Sequence, residues 1–330
     1  MKSVKIFQHG GPEVLEYVET ELPTPMQGEI RVQALAIGAS RTDVLIRDGS
    51  YKWAPTLPTI LGNEMCGVIE SVGNGVAADL IGKRVLISSR ELSKRGGCYA
   101  EFICVNEDAI YYLPENISDA DALSLPNFQL AQAMLLNRSN YQEQKTILVT
   151  GAAGGVAIAL AQTAKLFSMD AIGTASSDEK AIFAQENGFH SIVKYTTEDI
   201  PTRVFELTGG RGVDLAFDHV GGEIFFNSIK SLAPGGLAIL YSMLAATPEA
   251  EVFKLLRKYR EKSLGIKCFS MHMYDSNREI RRKLMNDAIS SMALGRVSAP
   301  KSISFSLCDA VRVHELFERG GSLGKMVLIP

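Results

Sequence analysis

The stretch that decides the fold is Lys145–Phe167, KTILVTGAAGGVAIALAQTAKLF. Thr146 to Thr150 is a short apolar, β-branched run and reads as a buried strand. Gly151 to Gly155 is a turn built only of glycine and alanine. Val156 to Phe167 is apolar almost all round, which predicts a well-covered helix. Strand, tight turn and helix together make an anion site. The N–H groups at the helix start lack intrahelical acceptors, and the positive end of the helix dipole faces the same way. The dinucleotide fingerprint G-x-G-x-x-G falls on Ala152, Gly154 and Ala157. Only its middle glycine is kept, the one that lets a pyrophosphate approach the backbone. Alanine is accepted at the third position and is small enough for a tight turn at the first. Ala153, Gly154, Gly155 and Val156 are the candidate phosphate contacts; the same residues would also serve an ordinary strand-to-helix turn.

Around this stretch the chain changes rhythm twice. Residues 1–125 are rich in glycine, proline and short β-branched runs, with strands expected at Glu29–Ala36, Gly67–Val72, Arg84–Ser88 and Ala100–Val105. From 126 to 272 strands and helices alternate, with strands at Asp170–Thr174, Ser191–Lys194, Val213–Asp218, Leu237–Ser242 and Gly265–Phe269. The sequence Ala233-Pro234-Gly235-Gly236 reads as a turn before the fourth of these. Alternating βα units imply a doubly wound parallel sheet with helices on both faces. The tail, 273–330, returns to an amphipathic helix over Glu279–Leu294, a strand at Ser302–Leu307, a helix carrying Ala310, Val313, His314 and Phe317, and a last strand at Met326–Pro330. It is expected to pack on the N-terminal domain.

Composition narrows the function. The 330 residues are 46% hydrophobic and 22% charged, with a net charge of −3, the balance of a soluble globular protein without a basic footprint for nucleic acid. No apolar run reaches the ~18 residues of a membrane span, and MKSVKIFQHGG lacks the apolar core of a signal peptide. The five cysteines, Cys66, Cys98, Cys104, Cys268 and Cys308, include no C-x-x-C pair. They read as small apolar residues in a reducing compartment, so the expected location is the cytoplasm.

Motifs spread over nearly the whole chain resemble the medium-chain dehydrogenase/reductase superfamily in its zinc-free quinone oxidoreductase (zeta-crystallin-like) branch. They are GGPEVLEYVE (10–19), RTDVLIRDGSY (41–51), LGNEMCGVIESVG (61–73), GKRV (82–85), GGCYAEFICV (96–105), VTGAAGGVA (149–157), TASSDEKAIFAQENG (174–188), TGGRGVDLAFDHVGG (208–222), LAPGG (232–236) and LGKMVLIP (323–330). The resemblance implies a GroES-like β-barrel-type catalytic domain (1–125 and 273–330) and a Rossmann domain that binds NADPH (126–272). Members are often homodimers joined through Rossmann sheet edges, which would be Gly265–Phe269 here. Zinc members carry a cysteine and a histidine where this chain has Ser40 and Asn63, and a later cysteine absent from LPNFQLA (125–131). Tetrahedral zinc needs three or four N/S ligands, so no metal is expected.

An NAD enzyme usually ends its second strand on Asp or Glu, which bonds the ribose 2′-OH. That end is here Ala175-Ser176-Ser177, with Asp178 opening a helix and Lys180 two residues on. Hydroxyls and an ammonium suit a 2′-phosphate; a capped surface helix with a solvated lysine would look the same. The resemblance adds Tyr195 beside the adenine and phosphate, then His219, Tyr241, Ser242, Phe269, Ser270 and Lys325 along the cofactor. At the substrate it implies Ser40 as a donor to a carbonyl and Tyr51 as a proton source, or both as lining only, with Asp43 fixing the local loop. Asn63 and Asn127 are candidate substrate contacts. The activity implied is NADPH-dependent reduction of quinones or activated C=C bonds. An enoyl-thioester reductase of polyketide type and a non-catalytic NADPH-binding protein are the alternatives, and FDHVGGE (217–223) is more similar to the quinone branch than to the first of them.

Overall fold

The computed structural model describes residues 1–137, 145–242, 244–321 and 323–330. They fall into two compact units, Met1–Pro126 with Ile289–Pro330, and Asn127–Ala288. The first unit begins with β1 (Lys2–Ile6), β2 (Glu16–Glu19), β3 (Glu29–Ala39), helix α1 (Arg41–Asp48), β4 (Thr59–Ile60), β5 (Glu64–Val72), β6 (Arg84–Ser88), β7 (Phe102–Asn106), β8 (Ile110–Tyr112) and α2 (Asp119–Ala122). The second unit holds α3 (Leu125–Leu136), β9 (Thr146–Val149), α4 (Gly155–Leu166), β10 (Asp170–Ala175), α5 (Asp178–Glu186), β11 (Ser191–Lys194), α6 (Ile200–Leu207), β12 (Val213–Asp218), α7 (Gly222–Lys230), β13 (Leu232–Leu240), α8 (Glu249–Lys258), β14 (Gly265–Cys268) and most of α9 (Arg278–Ala293). The chain then rejoins the first unit with β15 (Ser302–Ser306), α10 (Ala310–Glu318) and β16 (Lys325–Ile329).

In the second unit the strands lie in the order β11-β10-β9-β12-β13-β14, every pair parallel. This is the Rossmann order, with the switch point between β9 and β12. β9 and β12 are buried throughout or nearly so, as strands covered on both faces must be. The core gathers Leu148, Ile172, Val193, Val213, Phe225 and Ile229. The expected turn at Ala233–Gly236 is instead a bulge inside β13. Val213 lies opposite Leu232 while Leu215 lies opposite Leu237. Pro234 has no N–H for the ladder and Gly235 takes φ +75°, so the extra residues loop out without ending the strand.

The first unit is mainly antiparallel, in the order β15-β16-β3-β5-β6-β8, with β7 also on β3 and a small sheet β2-β1-β4. The tail belongs here because β16 pairs with β3 and β15 runs parallel to β16. The chain returns within α9, later than the 273 expected from sequence. The physical reason is a set of bonds at the helix start. Gln129 Nε2 donates to Arg281 O at 2.8 Å, and the Arg281 guanidinium donates to Tyr274 O and Asp275 O.

α10 is tied down by a buried cation. Arg47 is 1% exposed. It donates to Gly10 O at 3.0 Å, meets His314 Nδ1 at 3.3 Å and pairs with Glu318. Burial, then the charge of Arg47, push the His314 imidazole down to about 3. It is therefore neutral, and its second nitrogen faces the Tyr99 hydroxyl at 3.3 Å.

One glycine position in the second unit limits how closely strand and turn approach. A Cβ on Gly173, in β10, would lie 2.6 Å from Ala152 Cβ, 2.7 Å from Ile192 and 2.8 Å from Phe189. Overpacking of this kind costs about 1–3 kcal/mol. Gly173→Ala should lower the unfolding free energy by that amount, read as a lower urea midpoint at an unchanged m-value. A midpoint equal to wild type would show that the approach is not close.

Candidate cofactor and substrate sites

The cofactor cradle starts from a turn that has no side chains to hold it. Its shape comes from the neighbouring strand. Gly151 N donates to Thr174 Oγ1 at 3.2 Å and Ala152 N to Thr174 O at 2.9 Å. Gly151 takes φ +62°, and a Cβ there would lie 2.5 Å from His219 Cε1. Gly154 is the N-cap of α4 and offers no side chain to the first turn, which also holds no acidic residue. A Cβ on Gly154 would meet only Gly151 O, at 3.3 Å. The opening N–H groups of α4, around Gly155 and Val156, therefore face away from any capping oxygen, and the dipole adds positive potential. These features fit a pyrophosphate beside Ala153, Gly154, Gly155 and Val156.

Beyond the second strand the polar residues converge. Lys180 Nζ donates to Ser176 Oγ at 3.2 Å, and Lys180 N to Ser177 Oγ at 3.4 Å, so Ser177 caps α5. Parallel pairing sets Ala175 opposite Lys194. Tyr195, 41% exposed, follows Lys194, and its N–H donates to Ala175 O at 3.2 Å. Lys194 Nζ pairs with Asp178 Oδ1 at 2.6 Å, which raises the Lys194 ammonium above its ordinary value. Sequence reading found Ser176, Ser177, Lys180 and Tyr195 but not Lys194. The signal lay in the register of β10 with β11, which no single-strand pattern reveals.

At the end of β12, Asp218 is fully buried, and Gly221 N donates to its carboxylate at 2.7 Å. Burial raises this acid against the pull of that bond. His219 Nδ1 lies 3.1 Å from the Tyr241 hydroxyl, with the rings 5.5 Å apart. Burial, then the charge of Asp218, pushes the Tyr241 hydroxyl up. His219 therefore packs on the turn and bonds a tyrosine. Ser242 is half-buried beside it, Phe269 is buried after β14, and Ser270 Oγ accepts from His272 N at 3.3 Å. Asn127 is half-buried in α3.

The first unit brings together Ser40, Asp43 and Asn63, and adds Ser89, which sequence reading missed. Ser40 N and Ser40 Oγ donate to Asp43 Oδ2 at 2.8 and 2.7 Å. Asn63 Nδ2 donates to Asp43 Oδ1 at 2.6 Å, and Ser89 Oγ to Asn63 Oδ1 at 2.5 Å. Every bond runs toward the Asp43 carboxylate. Burial raises that carboxyl from 3.8 to about 6, against the Ser40 and Asn63 hydrogen bonds and with help from the Glu64 charge. Glu64 itself holds Lys325 in a buried ion pair, both side chains under 10% exposed. The Lys325 ammonium, expected at the cofactor, thus has a carboxylate within this unit. Tyr51 is half-buried with its ring 5.6 Å from that of Trp53. Among the described residues no three His, Cys, Asp or Glu side chains are grouped to hold a metal ion, and no helix is long and apolar enough to cross a membrane.

Comparison with known proteins agrees along the chain. The model of the alcohol dehydrogenase GroES-like domain matches residues 26–115, and that of zinc-binding dehydrogenases matches residues 155–284. The quinone oxidoreductase of Salmonella typhimurium is 32% identical over 99% of both chains. That of Pseudomonas aeruginosa is 30% identical over all of this chain and 99% of its own. The crystal structure of Escherichia coli quinone oxidoreductase complexed with NADPH is 29% identical, covers all of both chains and superposes with a TM-score of 0.86. With a Rossmann sheet, a GroES-like unit and end-to-end likeness to these enzymes, the chain belongs to the quinone oxidoreductases of the medium-chain dehydrogenase/reductase superfamily.

Proposed function

We propose that this chain uses NADPH to reduce quinones and electron-poor C=C bonds of enones and enals, and that it does so without zinc. The observation that carries the reading is the Ser176–Lys180 pair just past β10. It sets hydroxyls and an ammonium where an NAD site keeps a carboxylate for the 2′-OH. The start of α4 would hold the pyrophosphate and Tyr195 the adenine side. His219, Tyr241, Ser242, Phe269 and Ser270 follow toward the nicotinamide. Lys325 we assign to Glu64 and not to the cofactor. NADPH supplies the hydride when bound; the residues of the chain position it and manage the proton.

Ser40 and Asn63 occupy two positions that hold zinc ligands in metal relatives. A hydroxyl bonded to a carboxylate and a carboxamide are poor partners for zinc. Polarisation of the acceptor then rests on hydrogen bonds, which suffice for an already polarised enone or quinone. Loss of a proton from a simple alcohol lacks the help that a metal gives. While Asp43 is ionised, the Ser40 proton is bound to it, so Ser40 presents lone pairs to a ligand and not the donor expected from sequence. Tyr51 is then the side chain we assign to proton delivery, with Asn63 and Asn127 as substrate contacts. The edge strand β14 is where we place a second copy in a homodimer, and the five free cysteines suit the cytoplasm.

Purified protein should oxidise NADPH with 1,4-benzoquinone and with methyl vinyl ketone, with or without a chelator, and should not oxidise ethanol. Chelator-resistant ethanol oxidation by metal-free protein would refute the assignment. Tyr51→Phe should slow enone reduction more than quinone reduction, because a quinol can take its proton from water; equal effects would remove Tyr51 as the donor. Lys180→Ala should weaken NADPH by about tenfold, the low end for a charge-assisted bond, and leave NADH unchanged.

Asp43 gives a separate prediction. Its folded value of about 6 lies above its ordinary 3.8, so between these pH values the native state binds more protons than the unfolded chain. Its contribution to stability therefore falls as pH rises through that window. The stability of Asp43→Asn relative to wild type should rise over the same window, by about 2–4 kcal/mol. A difference that does not change with pH would mean that Asp43 titrates normally.

A further inference from the structure

Resting on the reading that the end of β10 takes a 2′-phosphate, we infer that Lys194 sets the cofactor preference by neutralising Asp178. The inference starts from charge. Asp178 is the acidic residue closest to the position where an NAD site keeps its ribose acceptor. It is the first residue of α5, at a helix N-terminus, and a carboxylate there repels a phosphate as readily as it accepts from a hydroxyl. Lys194 answers it from the adjacent strand, Nζ to Oδ1 at 2.6 Å.

The pairing is built by the sheet. Ala175 is in register with Lys194, so the last residue of β11 lies beside the start of the Ser176–Lys180 turn. Lys194 is held there by its own backbone, whose N–H donates to Glu198 Oε2 at 2.7 Å. Glu198 in turn lies 3.4 Å from Arg203, so that second carboxylate also has a cation. With Asp178 matched by Lys194, that carboxylate no longer opposes an anion brought to the hydroxyl of Ser176 and the ammonium of Lys180. Without Lys194, the uncompensated carboxylate of Asp178 would repel an incoming phosphate and still accept from a 2′-OH. Lys194 is thus a positioning residue that acts through Asp178. The Asp178 side chain is 79% exposed and that of Lys194 38%, so solvent screens the pair and the effect is modest.

The test is equilibrium binding of NADPH and of NADH, followed by quenching of protein fluorescence, for wild type, Lys194→Gln, Asp178→Asn and the double variant. Circular dichroism confirms that each is folded. Lys194→Gln should weaken NADPH about two- to fivefold, the scale of an exposed ion pair, and should leave NADH unchanged or tighter. The double variant should return NADPH to the wild-type affinity, because the repelling carboxylate is gone. No loss in Lys194→Gln would overturn the inference. So would a loss that persists in the double variant, since Lys194 would then touch the phosphate itself. If wild type binds NADH as tightly as NADPH, the cofactor reading fails instead, and the two failures are told apart by the wild-type data alone.

Discussion

The cofactor turn is held to its sheet by one pair of hydrogen bonds, the two that Thr174 receives from Gly151 and Ala152. The turn from Gly151 to Gly155 holds no side chain larger than a methyl group, so the one bond within it is from Gly154 N to Gly151 O at 3.0 Å. Thr174 supplies both acceptors from the next strand, one side-chain and one backbone. The turn is held a second time from β12, where His219 occupies the space that a Cβ on Gly151 would need. Gly173 lets the turn settle onto β10 with Ala152 in van der Waals reach. Two adjacent strands thus aim the N-terminus of α4. A helix that aims its N–H groups at a fixed point, without a capping oxygen, is preorganised for an anion, and little order has to be gained when one binds.

The parallel sheet was legible because βα repetition is a strong pattern. β11 and β12 run over the residues expected, and the other strands of that sheet differ mainly at their ends. What escaped was what register and tertiary contact decide. The Pro234–Gly235 pair reads as a strand boundary in any single sequence, yet β13 continues past it because its partner β12 has room for a bulge. The return to the first unit was placed at 273 because the strand pattern stops there. The bonds between Gln129, Arg281 and Tyr274 keep the next turns with the second unit, and such side-chain-to-backbone bonds leave no periodic trace. Lys194 and Ser89 were missed for the same reason: each matters only through a neighbour distant in sequence.

The resemblance located Ser40, Asp43 and Asn63 but could not give the direction of their hydrogen bonds. Direction follows from chemistry. An ionised carboxylate only accepts, so the Ser40 hydroxyl and the Asn63 amide donate to it, and Ser89 in turn donates to the Asn63 carbonyl oxygen. While Asp43 is ionised, its bond from Ser40 uses the Ser40 proton and leaves the Ser40 oxygen with lone pairs. A cation would draw lone pairs toward itself; a carboxylate draws protons.

The first unit also shows why two neighbouring buried acids need not behave alike. Glu64 and Asp43 both lie close to the end of β3, and each is nearly or fully out of water. Glu64 has the ammonium of Lys325, so its charge is matched in place. Asp43 has only neutral donors, and the nearest strong charge it feels is that of Glu64, which opposes its ionisation. One acid thus has a cation as its partner, and the other has neutral donors alone and is raised by burial to about 6. A buried carboxyl poised in this way is a common property of catalytic sites. Here Ser40 Oγ donates to one oxygen of that carboxylate, so the charge on Asp43 determines what Ser40 can offer a ligand.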